Sequence, residues 1–158
     1  MYSIQKDYSF DYAHRVYTQN IKKEMCEKDA KNSCLALHGH TGKISLIIMS
    51  EKLDDRGFVL DYKELGFFKE FVKEKLDHKL IVGALDPILV GLFEISHPDH
   101  LTIVDFIPTS ENLAKWIYLE VSQKLEAFQL DNGGYLNAVG WSETPSSIAW
   151  YTRDINVG

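Results

Sequence analysis

Three histidines have the residue type and spacing that a metal site needs. His38 and His40 are one residue apart in the segment LHGH, and His14 ends the earlier segment FDYAH. Residues i and i+2 of a strand project from the same face, so His38 and His40 would lie side by side. If the two segments pair as an antiparallel hairpin, His14 lies opposite this pair. Three neutral imidazoles with an open fourth position are the usual ligand set of a catalytic zinc ion.

The alternative for these histidines is hydrogen bonding without a metal, which is the commoner role of a single histidine on a strand. A bare H-x-H motif is a weak metal signal. The third histidine strengthens it only if the two segments pair as strands. His97 and His100, in SHPDH, resemble a metal pair less well, because a proline lies between them. We expect both of them to be solvated.

Other reactive side chains accompany the histidines. Cys34 lies four residues before His38, where a bound cation would favour its thiolate and make it a candidate base or nucleophile. Asp77 and His78 follow the first predicted helix, and the carboxylate of Asp77 can orient the imidazole of His78. Glu143 ends a predicted strand and could accept two hydrogen bonds from an amidine-like ring edge. The alternatives are a buried apolar role for the thiol and solvated surface roles for the others.

The hydrophobic pattern predicts the elements that position these residues. Alternating residues predict strands and apolar stripes of helical spacing predict helices, in the order ββααββ. This order indicates an α+β fold, with one antiparallel sheet of four strands and two helices on one face. We predict strands at 2–14, 38–49, 135–143 and 147–153, helices at 62–76 and 111–128, and a polar loop at 16–37.

Residues 79–107 are the part of the chain with the weakest pattern. They contain apolar clusters and two prolines, and only the stretch LTIVDF favours a strand. Pro108 then ends whatever precedes it. Thr109 or Ser110 is the predicted N-cap of the second helix, because short hydroxyl side chains accept hydrogen bonds from the first free N–H groups.

Length and composition exclude several classes of protein. The 158 residues fit one domain, 1–158, with an ordinary share of hydrophobic residues. A net charge of -6 argues against a nucleic-acid partner, which needs a basic face. We expect no membrane partner, since no apolar run approaches a spanning length and the N-terminus is unlike a signal peptide. Two cysteines, Cys26 and Cys34, are too few for a disulfide framework and favour the reducing cytoplasm.

Six motifs occur in an order that is typical of one enzyme family. FDYAHRV, CLALHGH, GFVLDYKEL, LDH, PTSENLAKWI and SETP together resemble the 6-pyruvoyl-tetrahydropterin synthase and 6-carboxy-tetrahydropterin synthase (QueD) family. The resemblance implies the tunnelling fold, in which trimers form a barrel and two trimers stack into a homohexamer with active sites between subunits. It also implies that His14, His38 and His40 bind Zn²⁺.

The resemblance further assigns roles to the remaining polar residues. Cys34 would be the general base, Asp77 and His78 would complete a proton relay, and Glu143 would anchor the pterin ring. Thr109 and Ser110 would line the pterin pocket. On charge alone, the candidates for triphosphate binding are Arg15, Lys43 and Arg153.

The implied substrate is 7,8-dihydroneopterin triphosphate. The spacing C-x-x-x-H-G-H is similar to that of the family's 6-carboxy-tetrahydropterin synthase branch. The resemblance implies that the reaction releases acetaldehyde and triphosphate and serves queuosine biosynthesis. Two alternatives are the pyruvoyl-forming synthase, with the same site, and a non-catalytic pterin-binding protein of the same fold. The long charged loop before Cys34 and the segment 79–107 depart from the family pattern.

Overall fold

One mixed β-sheet runs through the described residues, 1–153 of the computed structural model. Among these residues, none of the helices has the length and apolar character that a membrane crossing requires. The elements are β1 (Tyr2–His14), β2 (His38–Ser50), α1 (Gly66–Lys75), β3 (Lys79–Gly83), α2 (Leu89–Ile95), β4 (Leu101–Val104), α3 (Ser110–Phe128), β5 (Tyr135–Thr144) and β6 (Ser147–Thr152).

The strand order in the sheet is β4-β3-β1-β2-β5-β6. Neighbours within β1-β2-β5-β6 are antiparallel, and these are the four predicted strands at nearly the predicted positions. β3 pairs in parallel with both β1 and β4. The α+β class is therefore confirmed, but the prediction of a four-stranded antiparallel sheet with two helices is wrong. The described residues form six strands and three α-helices.

The extra elements all lie in the segment with the weakest pattern, where the strand favoured at LTIVDF is confirmed as β4. β3 and β4 are only five and four residues long, and α2 has seven residues. Consecutive residues of β3, Ile81, Val82 and Gly83, are all buried. A strand covered on both faces has no alternation of apolar and polar residues, so its sequence does not show the period of two.

The pairing of β1 with β2 is set by one buried face. Phe10, Tyr12 and His14 of β1 are buried, whereas Asp11 between them is exposed. A one-residue slip would move this whole set to the solvent face, so the register is strongly specified. The register places His14 opposite His38.

Two helices cover this face of the sheet. The predicted first helix begins with a 3-10 turn, Tyr62–Leu65, and continues as α1. α3 has Thr109 as its N-cap, as predicted, with Oγ1 accepting a hydrogen bond from the Asn112 N–H. The core between helices and sheet contains Phe68, Leu113, Ile117 and Trp141, all almost completely buried.

Two leucines of α3 test which face of the helix stabilises the fold. Leu113 is completely buried and Leu119 is 53% exposed. We expect Leu113→Ala to lower the free energy of unfolding by about 2–5 kcal/mol, because it leaves a cavity in the core. Leu119→Ala should change it by about 0.5 kcal/mol or less. Urea unfolding followed by circular dichroism measures both, and equal losses would contradict the packing of α3 described above.

Candidate metal centre

The three predicted histidines meet at one end of the β1-β2 pair. His14 and His38 are directly opposite each other, and His40 lies opposite Tyr12. The ring centroid of His14 lies 4.7 Å from that of His38 and 5.3 Å from that of His40. One nitrogen from each ring lies within 4.8 Å of the others, so the three could hold a metal ion. The predicted strand pairing is confirmed.

Backbone carbonyl groups orient two of the rings. His14 Nδ1 lies 2.8 Å from the Pro108 carbonyl oxygen, and His38 Nδ1 lies 2.8 Å from that of Ala36. A carbonyl oxygen only accepts, so each Nδ1 carries the proton and each Nε2 has a free lone pair. A carbonyl or carboxylate partner of this kind commonly orients a metal-binding histidine.

Burial keeps His14 in the form that binds metals. His14 is 1% exposed, and this burial lowers the pKa of its imidazole, although the nearby carboxylate of Glu143 opposes the shift. The neutral ring therefore predominates, and only the neutral ring coordinates a metal ion.

The residues present fit a bound metal ion. His14 Nε2 and His40 Nε2 are buried and have no hydrogen-bond partner. A buried polar atom without a partner costs about 1–3 kcal/mol, and a coordinated cation would remove this cost. Three imidazole nitrogens suit several divalent metals, including zinc. The three predicted histidines are thus brought together, and they could hold a metal ion.

A carboxylate lies beside two of the metal-binding nitrogens. Glu143 Oε1 is 3.4 Å from His14 Nε2, and Oε2 is 4.0 Å from His40 Nε2. Tyr12 donates a hydrogen bond to Glu143 Oε1 at 3.4 Å. Burial, and then the charge of Glu143, raise the pKa of Tyr12, so its phenol stays protonated and can donate. The structure places Glu143, a candidate site residue from the sequence, beside the histidine cluster; the strand pattern alone did not show this proximity.

Cys34 is held close to the end of β1. Its backbone N–H donates to Gln19 Oε1 at 2.8 Å, and its carbonyl accepts from Val16 N–H at 2.7 Å. Val16 is two residues after His14, so this contact ties the cysteine to the chain leaving the metal centre. Cys34 is a partly buried free thiol, and Cys26 is an exposed one.

Thr109 and Ser110 also lie next to the histidine cluster. They directly follow Pro108, whose carbonyl oxygen accepts the hydrogen bond from His14. The start of α3 is therefore fixed beside the metal centre. The Thr109 hydroxyl caps the helix there by accepting from the Asn112 N–H.

Asp77 and His78 lie apart from the cluster. They pair with each other, Oδ1 to Nδ1 at 3.1 Å, and both bind the backbone of Asp11 at the edge of β1. His78 has a φ of 57°, which is uncommon outside glycine, and its side chain is 79% exposed. Within the described chain, neither residue forms a hydrogen bond or ion pair with the three histidines or Cys34.

The candidate cations have other contacts. Arg15 Nε lies 3.1 Å from Oδ2 of the buried Asp86, a pair that the sequence did not suggest. Lys43 pairs with Asp7 at 3.5 Å. Arg153 stacks on the ring of Tyr135, at the end of β5 far from Glu143. Along the chain, Arg15 directly follows His14, and Lys43 is three residues after His40 on β2.

The comparisons with known proteins agree on one family. The 6-pyruvoyl tetrahydropterin synthase family model matches residues 3–154. The 6-carboxy-5,6,7,8-tetrahydropterin synthase of Aquifex aeolicus is 28% identical over 97% of this chain and 99% of its own length. The enzyme of the same name from Bacillus subtilis is 27% identical over 90% of each chain.

Solved structures show the same fold. An uncharacterized protein from Wolinella succinogenes has a TM-score of 0.86 at 30% identity, covering 97% of this chain and 98% of that one. The Plasmodium vivax 6-pyruvoyltetrahydropterin synthase has a TM-score of 0.68 at 19% identity, covering 98% of each chain. The predicted fold family is confirmed, with the corrections to strand and helix number given above.

Removing one histidine tests the metal centre. We expect His38→Ala to weaken binding of a divalent metal by more than about a hundredfold, because it removes a direct ligand. His97→Ala is the matched control, since His97 is exposed and lies outside the cluster. Metal content after loading and dialysis, measured by mass spectrometry, compares the two. Full metal content in the His38 variant would refute the site.

Proposed function

Because the chain belongs to the 6-pyruvoyl tetrahydropterin synthase family of lyase-type enzymes, we propose that it is a zinc-dependent 6-carboxy-5,6,7,8-tetrahydropterin synthase. It would convert 7,8-dihydroneopterin triphosphate to 6-carboxytetrahydropterin, with release of acetaldehyde and triphosphate. The observation that carries the proposal is the cluster of His14, His38 and His40. The choice of the carboxy product is supported by the names of the curated relatives and by the spacing of Cys34 from His38.

The reaction balances without an external oxidant or reductant. The dihydropterin ring gains the two electrons that the side chain loses as it is converted to the carboxylate level. One water molecule supplies the oxygen needed when the carbon–carbon bond breaks. Bound Zn²⁺ would supply Lewis acidity toward the side-chain oxygens of the substrate and make the neighbouring C–H and O–H groups more acidic.

The chain's own residues would provide binding and proton transfer. Cys34 would accept a proton from the side chain of the substrate, since a thiolate is favoured beside a cation. Glu143 would accept two hydrogen bonds from the N–H edge of the pterin ring, which fixes the ring relative to the histidines. The hydroxyl groups of Thr109 and Ser110 would line the same pocket. The carbonyl oxygens of Pro108 and Ala36 would orient the rings of His14 and His38 for this role.

The position of Asp77 and His78 favours an active site shared between subunits. In one chain the pair is exposed at the edge of β1 and separate from Cys34. A left-handed backbone at His78 costs free energy, and such strain often marks a functional position. We propose that the pair completes the proton relay of a neighbouring chain in a homohexamer built from two trimers. We expect the enzyme to act in the cytoplasm, where Cys34 stays reduced.

One incubation tests the proposed reaction. The zinc-loaded chain is mixed with 7,8-dihydroneopterin triphosphate, and the products are identified by mass spectrometry. We expect 6-carboxytetrahydropterin and acetaldehyde in equal amounts. A 6-pyruvoyl product would move the chain to the other branch of the family and leave the metal centre unchanged. Unconverted substrate would contradict the proposed enzyme activity.

Replacing the candidate base separates catalysis from binding. We expect Cys34→Ala to lower kcat by about a hundredfold or more, as loss of a general base commonly does, with little change in metal content. Cys26→Ala is the matched control, since Cys26 is an exposed thiol in the same loop. Equal turnover in the two variants would exclude Cys34 as the base.

A further inference from the structure

Tyr12 lies at the centre of the candidate site, although its sequence pattern indicated only a buried face. It is 4% exposed and sits opposite His40 in the β1-β2 register. Its ring centroid is 5.2 Å from that of His14 and 5.7 Å from that of His40. The phenol ring therefore packs against two of the three metal-binding side chains.

The hydrogen bonds of Tyr12 have a fixed direction. Trp141 Nε1 lies 3.0 Å from the Tyr12 hydroxyl oxygen, and an indole N–H can only donate. The tyrosine oxygen is therefore the acceptor in this contact, and its own proton points elsewhere. That proton is directed at Glu143 Oε1, 3.4 Å away. Trp141 therefore donates a hydrogen bond to Tyr12, and Tyr12 donates one to the carboxylate of Glu143.

The donor at the start of this chain is immobilised by packing. Trp141 is completely buried, and its ring meets the rings of Phe10 and Tyr12 edge to face, with centroids 5.2 and 5.3 Å apart. A tryptophan held in this way cannot turn its N–H toward another acceptor without disturbing the core. The hydroxyl of Tyr12 is therefore oriented by a rigid group.

A glycine on the neighbouring strand makes room for the tyrosine ring. A Cβ atom added at Gly42 would lie 2.8 Å from Cε1 of Tyr12, closer than real Cβ contacts allow. Gly42 pairs with Phe10 in the register, so the ring of Tyr12 covers the space above it. Any side chain at position 42 would displace the ring and its hydroxyl.

We propose that Tyr12 is a positioning residue, whose hydroxyl, oriented by Trp141, fixes the Glu143 carboxylate in the orientation that binds the pterin ring. The inference rests on the proposed function, because that function makes Glu143 the residue that binds the pterin ring. Tyr12 does not touch the substrate in this role. It acts through Glu143, and removal of its hydroxyl should weaken ring binding and leave the metal ligands in place.

The test removes one oxygen atom and leaves the ring. Tyr12→Phe is compared with Tyr8→Phe, since Tyr8 lies on the same face of β1 and its hydroxyl donates to the Leu65 carbonyl oxygen at 3.4 Å. Calorimetry measures the binding of neopterin, which lacks the triphosphate leaving group, to the zinc-loaded chain. We expect binding about tenfold weaker in the Tyr12 variant, for the loss of a hydrogen bond to a charged group. The Tyr8 variant should bind within about twofold of the unaltered chain, and both should keep full metal content.

A double-mutant cycle tests whether Tyr12 acts through Glu143. Glu143→Ala alone should weaken neopterin binding, and adding Tyr12→Phe to it should cause no further loss, because the acceptor is already gone. Losses that multiply in the double variant would overturn the inference. A Tyr12 variant that binds normally, beside a weakened Glu143 variant, would overturn it and leave the proposed function standing. Failure of the unaltered chain to bind neopterin would overturn both.

A substitution on the neighbouring strand provides a second route to the same result. Gly42→Ala keeps every polar group of the site and places its added Cβ 2.8 Å from the ring of Tyr12 and 3.2 Å from that of Phe10, so the tyrosine ring is displaced most. We expect it to weaken neopterin binding at least as much as Tyr12→Phe, in a chain whose circular dichroism spectrum is unchanged. Unaltered binding by this folded variant would show that the position of the ring is not required, against the inference.

Discussion

The register between β1 and β2 is the constraint on which the site depends. It places His14 against His38 and Tyr12 against His40, so one strand pairing assembles the candidate metal ligands and their neighbours. A slip by one residue would move the imidazoles and the apolar core residues to the other face together. The alternation of side chains along β1 and β2 therefore determines both which residues are buried and where the histidines lie. The core stabilises this arrangement, and the carbonyl oxygens of Pro108 and Ala36 then orient the rings of His14 and His38.

The site nevertheless concentrates unfavourable features at one end of the sheet. Two imidazole nitrogens are buried without a hydrogen-bond partner, and the carboxylate of Glu143 lies within 4.0 Å of both. Such groups destabilise a fold unless a cation or ligand compensates them. The rigid surroundings, with Trp141 in the core and Pro108 at the start of α3, hold these groups where they would otherwise move apart. The polar cluster is thus kept ready for a metal by the packing around it.

Prediction from the sequence succeeded for the long elements and failed for most of the short ones between α1 and α3. β1, β2, α1 and α3 carry one-sided patterns, and their positions were predicted closely. β3 has consecutive buried residues, so no alternation marked it, and the sheet was predicted too small. The histidines were predicted because parity and pairing bring them together. Tyr12 shared that parity, but parity gives a face and not a hydrogen-bond partner. The pair of Arg15 with Asp86 joins residues far apart in the chain, which no local pattern can show.

The close fit between Gly42 and Tyr12 has an evolutionary consequence. With Tyr12 in place, any larger residue at position 42 collides with the aromatic ring, so the two positions cannot change independently. An alanine at position 42 forces the ring of Tyr12 to move, and a smaller residue at position 12 would remove that penalty. The cost of a substitution at either position therefore depends on the residue at the other, which makes the two positions an epistatic pair across the strands.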